Sequence, residues 1–148
     1  MSTKKRFHYT ACGLPDVWLA NGFTVRQTSE GEAFHIDQVK DLHQAIGLSI
    51  VEKEGLLTSD EFRFLRTEMY FSRRSLGELL DISGETIKKW ESGENDIQKT
   101  ADACLRNLYL HHIHNDTVKA LISSINSHER QETKICLSKT TQGWLKTA

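Results

Sequence analysis

The 148-residue sequence contains one proline and nine glycines. That is too few for a Pro/Gly-rich linker or a low-complexity chain, so a folded globular protein is expected. Its three cysteines, Cys12, Cys104 and Cys136, stand far apart and form no CxxC pair, which argues against a disulfide framework and for a reduced compartment. No apolar run approaches the roughly 18–20 residues that a bilayer-spanning helix needs. The start, Met1 to Arg6, is basic with no apolar stretch behind it, unlike a secretory leader, so the expected location is cytoplasmic. Neither sign of charge dominates: 19 Lys and Arg stand against 20 Asp and Glu, for a net charge of −1. Such a balance excludes gripping nucleic acid by bulk charge, while leaving room for a locally positive face. The signatures of catalysis are also missing. There is no GxSxG, no phosphate-cradling glycine loop and no convincing carboxylate pair, and Cys12 has no identifiable partner base. An enzyme is not expected.

What is present divides the chain into three parts: 1–56, 57–126 and 127–148. The first reads as short strands plus a helix. Val17-Trp18-Leu19 is followed by Asn21-Gly22, a strong turn signal, and then by the alternating run Phe23-Thr24-Val25-Arg26. Ser29 to Glu32 breaks that run and Phe34-His35-Ile36 begins another, so a small antiparallel meander fits. Asp37 reads as an N-cap for a helix to about Val51, with Val39, Leu42, Ile46 and Ile50 as its apolar stripe. So small a unit has a thin core and must lean on the rest of the chain or on a second copy.

The second part reads as a bundle of about five helices, making the whole chain α+β and mostly α. Thr58 and Glu61 form a capping-box pattern ahead of Phe62, Leu65 and Met69. Ser72 opens a short helix with Leu76, Leu79 and Leu80 on its apolar face. Ser83 caps the next, from Gly84 to Ser92, with Ile87 and Trp90 inward and Gly93 as the stop signal. A helix from about Gln98 to His112 and another carrying Val118, Leu121, Ile122 and Ile125 follow. The tail is polar. Lys134 to Ser138 alternates weakly, Trp144-Leu145 could dock, and no internal repeat is evident.

The stretch from Ser72 to Gly93 is the most informative. Two short helices joined by a turn of three or four residues must cross steeply, and Gly77 supplies the small residue at the crossing, with Ile82 plugging the turn. With Ile87 and Trp90 anchored inward, Glu85, Thr86, Lys88 and Lys89 remain on or near the outward side, where base edges and phosphates would be met. Between residues 58 and 97 six Lys and Arg face nine Asp and Glu, so binding must use a local face. His111, His112 and His114 tempt a metal reading, but nothing near them completes a tetrahedral set.

The pattern Ser-x-x-x-Leu-Gly-x-Leu-Leu-x-Ile-Ser-x-x-Thr-Ile-x-x-Trp-Glu-x-Gly over 72–93 is similar to the signature of the XRE/Cro-type helix-turn-helix family. Tyr9-Thr-x-Cys12-Gly-Leu, Asn21-Gly22 and Leu57-Thr58 through Arg66 give the whole chain a looser resemblance to the MqsA antitoxin family. The resemblance implies a sequence-specific repressor of its own operon that binds a palindromic operator in double-stranded DNA as a homodimer. It places Glu85 and Lys89, with Thr86, at base-reading positions. Arg73, Arg74, Ser83 and Lys88 fall on the DNA backbone, and Arg73, where many members carry glutamine, favours a phosphate clamp. Leu108, Tyr109, Leu121, Ile122 and Ile125 are the candidate dimer interface. The paired cysteines that hold zinc in MqsA are absent, so no metal and no cofactor are expected. A second implied role is that of an antitoxin whose N-terminal part binds and neutralises a protein partner.

Overall fold

The computed structural model describes residues 6–114 and 134–147. Within them the fold is α+β with helices dominating. In chain order the elements are β1 (Phe7–His8), β2 (Trp18–Leu19), β3 (Phe23–Thr28), β4 (Gly31–Ile36), α1 (Val39–Glu52), α2 (Ser59–Glu68), α3 (Arg73–Leu80), α4 (Gly84–Glu91), α5 (Lys99–His114), β5 (Leu137–Thr140) and β6 (Gly143–Lys146). The expected helix through Val118 to Ile125 lies outside the described residues.

The strands form three separate antiparallel ribbons, β1–β2, β3–β4 and β5–β6, rather than a meander. Asn21-Gly22 joins two strands that do not pair with each other. The hairpin turn falls at Ser29-Glu30 instead, which alternation alone reads only as a break. Thr28 closes this turn: its Oγ1 accepts the Glu30 N–H at 3.3 Å and donates to Gly31 O at 2.6 Å, while Gly31 takes φ +119°. Thr140-Thr141-Gln142-Gly143 repeats the device, with Thr140 Oγ1 accepting from Gln142 N–H and donating to Gly143 O. The chain therefore contains a short repeat at the level of turn chemistry.

Asp37 is not the cap of α1. That position falls to Gln38, in the left-handed region at φ 48° and with no side-chain cap. Asp37 is engaged in the ribbon, its N–H donating to Gly22 O at 2.9 Å and its carboxylate lying 3.4 Å from His35. The other caps form as the residue types dictate. Thr58 and Glu61 make a reciprocal capping box, and Ser72 and Ser83 accept the N–H groups of Ser75 and Thr86. Gly93, at φ +79°, follows the end of α4.

One hydrophobic core runs across residue 56. It includes Tyr9 and Leu14 from the connection between β1 and β2, Leu19 from β2, Ile46 and Ile50 from α1, Phe62 and Leu65 from α2, and Leu76, Ile87, Trp90, Leu105 and Tyr109 beyond. The thin N-terminal unit thus leans on α2 and α5. Gly47 sits where a Cβ would overlap the Tyr109 ring, which lets α1 and α5 approach closely. Arg106 fastens the connection after α1 by donating to the carbonyls of Val51, Lys53 and Gly55. Asp102 pairs with Arg106 at 2.8 Å and accepts the Leu57 N–H at 2.7 Å.

Candidate nucleic-acid interface

Helices α3 and α4 are joined by Asp81, Ile82 and Ser83. Asp81 adopts φ 56°, ending α3, and its N–H and that of Ile82 both turn back to Gly77 O. A Cβ on Gly77 would overlap the carbonyl oxygen of Ile82 and lie 3.4 Å from the Gly84 N that opens the facing helix, so the residue that must be small meets the turn first and the start of α4 next. The folding back brings the two helix starts together: a Cβ on Gly84 would lie 3.6 Å from Arg74 N and 3.7 Å from the Arg73 carbonyl carbon. Two positive dipole ends therefore converge; the first turn of α3 carries no acid, and that of α4 carries one, the exposed Glu85. Such a juncture favours an anion.

Glu85, Lys88 and Lys89 are all exposed on α4. Thr86 is half-buried, and its hydroxyl lies 2.8 Å from Ser83 Oγ. Ser83 Oγ accepts the Thr86 N–H at 3.1 Å, so this serine is engaged in capping. Arg74 is exposed and faces Glu78 at 3.4 Å. Arg73 is half-buried, and its Nε donates to Glu91 at 3.2 Å. Arg73, Arg74, Ser83, Glu85 and Thr86 thus lie at or near the α3 and α4 starts, with Arg73 partly diverted inward, whereas Lys88 and Lys89 lie in the last turn of α4.

The diversion exposes a residue that sequence reasoning missed. The Glu91 side chain is fully buried at the end of α4 and collects Arg66 from α2 at 2.6 and 2.9 Å, Arg73 from α3 at 3.2 Å and Arg63 at 3.7 Å. Arg66 also donates to Phe71 O and Arg63 to Glu91 O. One carboxylate therefore sets the placement of three helices. The sequence marks it only as the glutamate of the Trp-Glu-x-Gly end of the helix-turn-helix pattern, with no sign that it is buried.

The candidate dimer residues fare differently. Tyr109 is 2 % exposed within the protomer core, which removes it from any surface. Burial, and then the charge of Glu68, push its hydroxyl up to about 12. Leu108 is half-buried against the same core. Leu121, Ile122 and Ile125 lie outside the described residues.

The N-terminal unit adds two features. His43 bridges α1, α2 and the first strands, with Nδ1 2.6 Å from Glu68 and Nε2 2.8 Å from the Tyr9 hydroxyl. Burial, then the nearby Cys12 and Glu68, raise the Tyr9 hydroxyl above its ordinary value. A cavity of about 560 Å³ opens between residues 14–19 and α1, walled mainly by Leu14, Val17, Leu19, Leu42, Ile46 and Ile50, with Glu61 also on its lining. Among the described residues no group of three or more His, Cys, Asp or Glu could hold a metal ion, and no helix is long and apolar enough to cross a membrane. Comparison with protein families, with curated proteins and with solved structures gives no match to this chain.

Proposed function

We propose that this protein is a cytoplasmic, sequence-specific DNA-binding repressor, acting as a homodimer on a palindromic operator of its own operon. The observation that carries the reading is the convergence of the α3 and α4 starts, with Arg74 exposed beside it, Lys88 and Lys89 exposed farther along α4, and Gly77 permitting the tight turn. The resemblance of 72–93 to XRE/Cro-type regulators supports the same assignment. Helix α4 enters the major groove, and Glu85 and Lys89, one turn apart on the exposed side, meet base edges. Arg74 and Lys88 meet phosphates, which fix register without carrying sequence information. A second role, capture of a protein partner by the N-terminal unit, is favoured by the apolar cavity beside α1.

Footprinting on the protein's own upstream DNA tests the reading, with protection of an inverted repeat as the expected result. Lys89→Ala should cost about 1–3 kcal/mol on that repeat and much less on random duplex. Glu85→Gln should relax the preference at one base pair per half-site. If wild type protects no repeat, or if both variants select the wild-type motif from random DNA, the assignment of α4 to base reading fails.

A further inference from the structure

Among the described residues, the C-terminal ribbon contributes nothing to the hydrophobic core. Among the described residues its hydrogen bonds are also its own, ending with Thr147 N–H to Cys136 O at 2.9 Å. No side chain of 134–147 joins the core, and Trp144 is 66 % exposed. A lone two-stranded hairpin is marginal in water, so this one needs a surface to lie on.

The register says what kind of surface. Leu137 opposes Lys146 and Lys139 opposes Trp144, so these four side chains share one face, an aromatic and an aliphatic residue each flanked by lysine. Residues 134–148 contain three lysines, Lys134, Lys139 and Lys146, and no acid. Among the described residues none of the three makes an ion pair, whereas Arg63, Arg66 and Arg73 are drawn onto Glu91 and Arg106 onto Asp102. The hairpin is a cationic appendage on a chain that is otherwise more acidic than its net charge suggests. The cores of protein–protein interfaces are depleted in lysine, so lysines set among the apolar side chains speak against a protein docking face. A polyanion suits a face that carries lysines and no acid.

We infer that the β5–β6 hairpin is a second nucleic-acid-binding element, laying its Lys139–Trp144–Lys146 face on the sugar-phosphate backbone of the duplex that α4 reads. The inference rests on the proposed DNA-binding function and adds to it a sequence-independent grip outside the α3–α4 pair. Backbone contacts of this kind release counterions and are read from the dependence of affinity on salt.

The experiment uses the full chain on the footprinted repeat and on random duplex. Lys139→Ala/Lys146→Ala should weaken binding to both DNAs alike and reduce the log–log salt slope by about two units per protomer, leaving the selected motif unchanged. Lys139→Arg/Lys146→Arg should restore the slope, and Trp144→Ala should weaken both complexes without changing it. An unchanged slope in the double alanine variant overturns the inference. So does loss of the dimer in sedimentation for that variant or for Trp144→Ala, since the face would then join two copies of the chain. An unchanged slope beside a loss of specificity in Lys89→Ala leaves the α4 reading intact. Absence of wild-type binding to any duplex removes both.

Discussion

Glu91 shows how one side chain can organise a binding surface it does not belong to. A carboxylate at the end of a helix opposes the helix dipole, and a fully buried one needs partners. Here Arg66 supplies a bidentate pair and Arg73 a third hydrogen bond. Replacing Glu91 by Gln keeps the shape and removes the charge, leaving Arg66, itself 8 % exposed, without its counter-ion. Breaking a buried pair in this way costs on the order of 3–5 kcal/mol. Urea unfolding of Glu91→Gln should therefore show an unfolding free energy lowered by that much, as a lower midpoint at unchanged slope, and a loss below about 1 kcal/mol would mean that the arginines find other acceptors. Residues of this kind are hard to read in advance. Gly77 is legible because the crossing of two short helices demands a small residue, even though the oxygen it avoids belongs to the turn. Glu91 is not, because an acid following a core tryptophan could equally face water, and only packing of α2 and α3 against α4 decides it.

Elements were legible where their ends carry chemistry in the side chain. Thr58, Ser72 and Ser83 announce three helix starts, and all three accept the N–H that an N-cap should accept. The ribbons were less legible, because a threonine that bonds across its own turn to a glycine looks like an interruption of the strand. Asp37 misled for a related reason: its backbone closes the β3–β4 ribbon, so the helix starts one residue later without a side-chain cap. The capping box of α2 has a consequence for acid stability. Burial alone would raise the Glu61 carboxyl, but Lys53 Nζ at 2.8 Å and the Thr58 N–H at 2.8 Å hold it below the usual carboxylate range. A depressed folded-state pKa contributes stability that is present above the unfolded carboxylate pKa and is lost as pH falls through the folded value. Stability of wild type should therefore drop more steeply on acidification than that of Glu61→Gln. Parallel curves for the two proteins below the ordinary carboxylate range would show that the box is not coupled to protonation.

At the scale of the molecule, the division at residue 56 that composition suggests is crossed by one core and by one arginine. Arg106 on α5 reaches the carbonyls of Val51, Lys53 and Gly55, and its partner Asp102, 4 % exposed, holds the N–H of Leu57 where α2 is about to begin. Spacing in the sequence could not show this, because the contacts join positions 51 to 55 residues apart. The arrangement predicts that α1 and the helices beyond it open together. In native-state hydrogen exchange the slowest amides of α1, such as Ile46 and Ile50, should share one opening free energy with those of Ile87 and Leu105. Arg106→Ala strips Asp102 of its counter-ion and frees three carbonyls, so it should lower that shared value by about 3 kcal/mol in both regions at once. If only α1 loses protection, the N-terminal unit is a separate folding body. In that case a partner captured in its cavity could not influence the α3–α4 juncture through the core. If the two fall together, α1 and α4 belong to one cooperative unit, joined by the packed residues Ile46 and Ile50 on one side and Phe62 and Leu65 on the other.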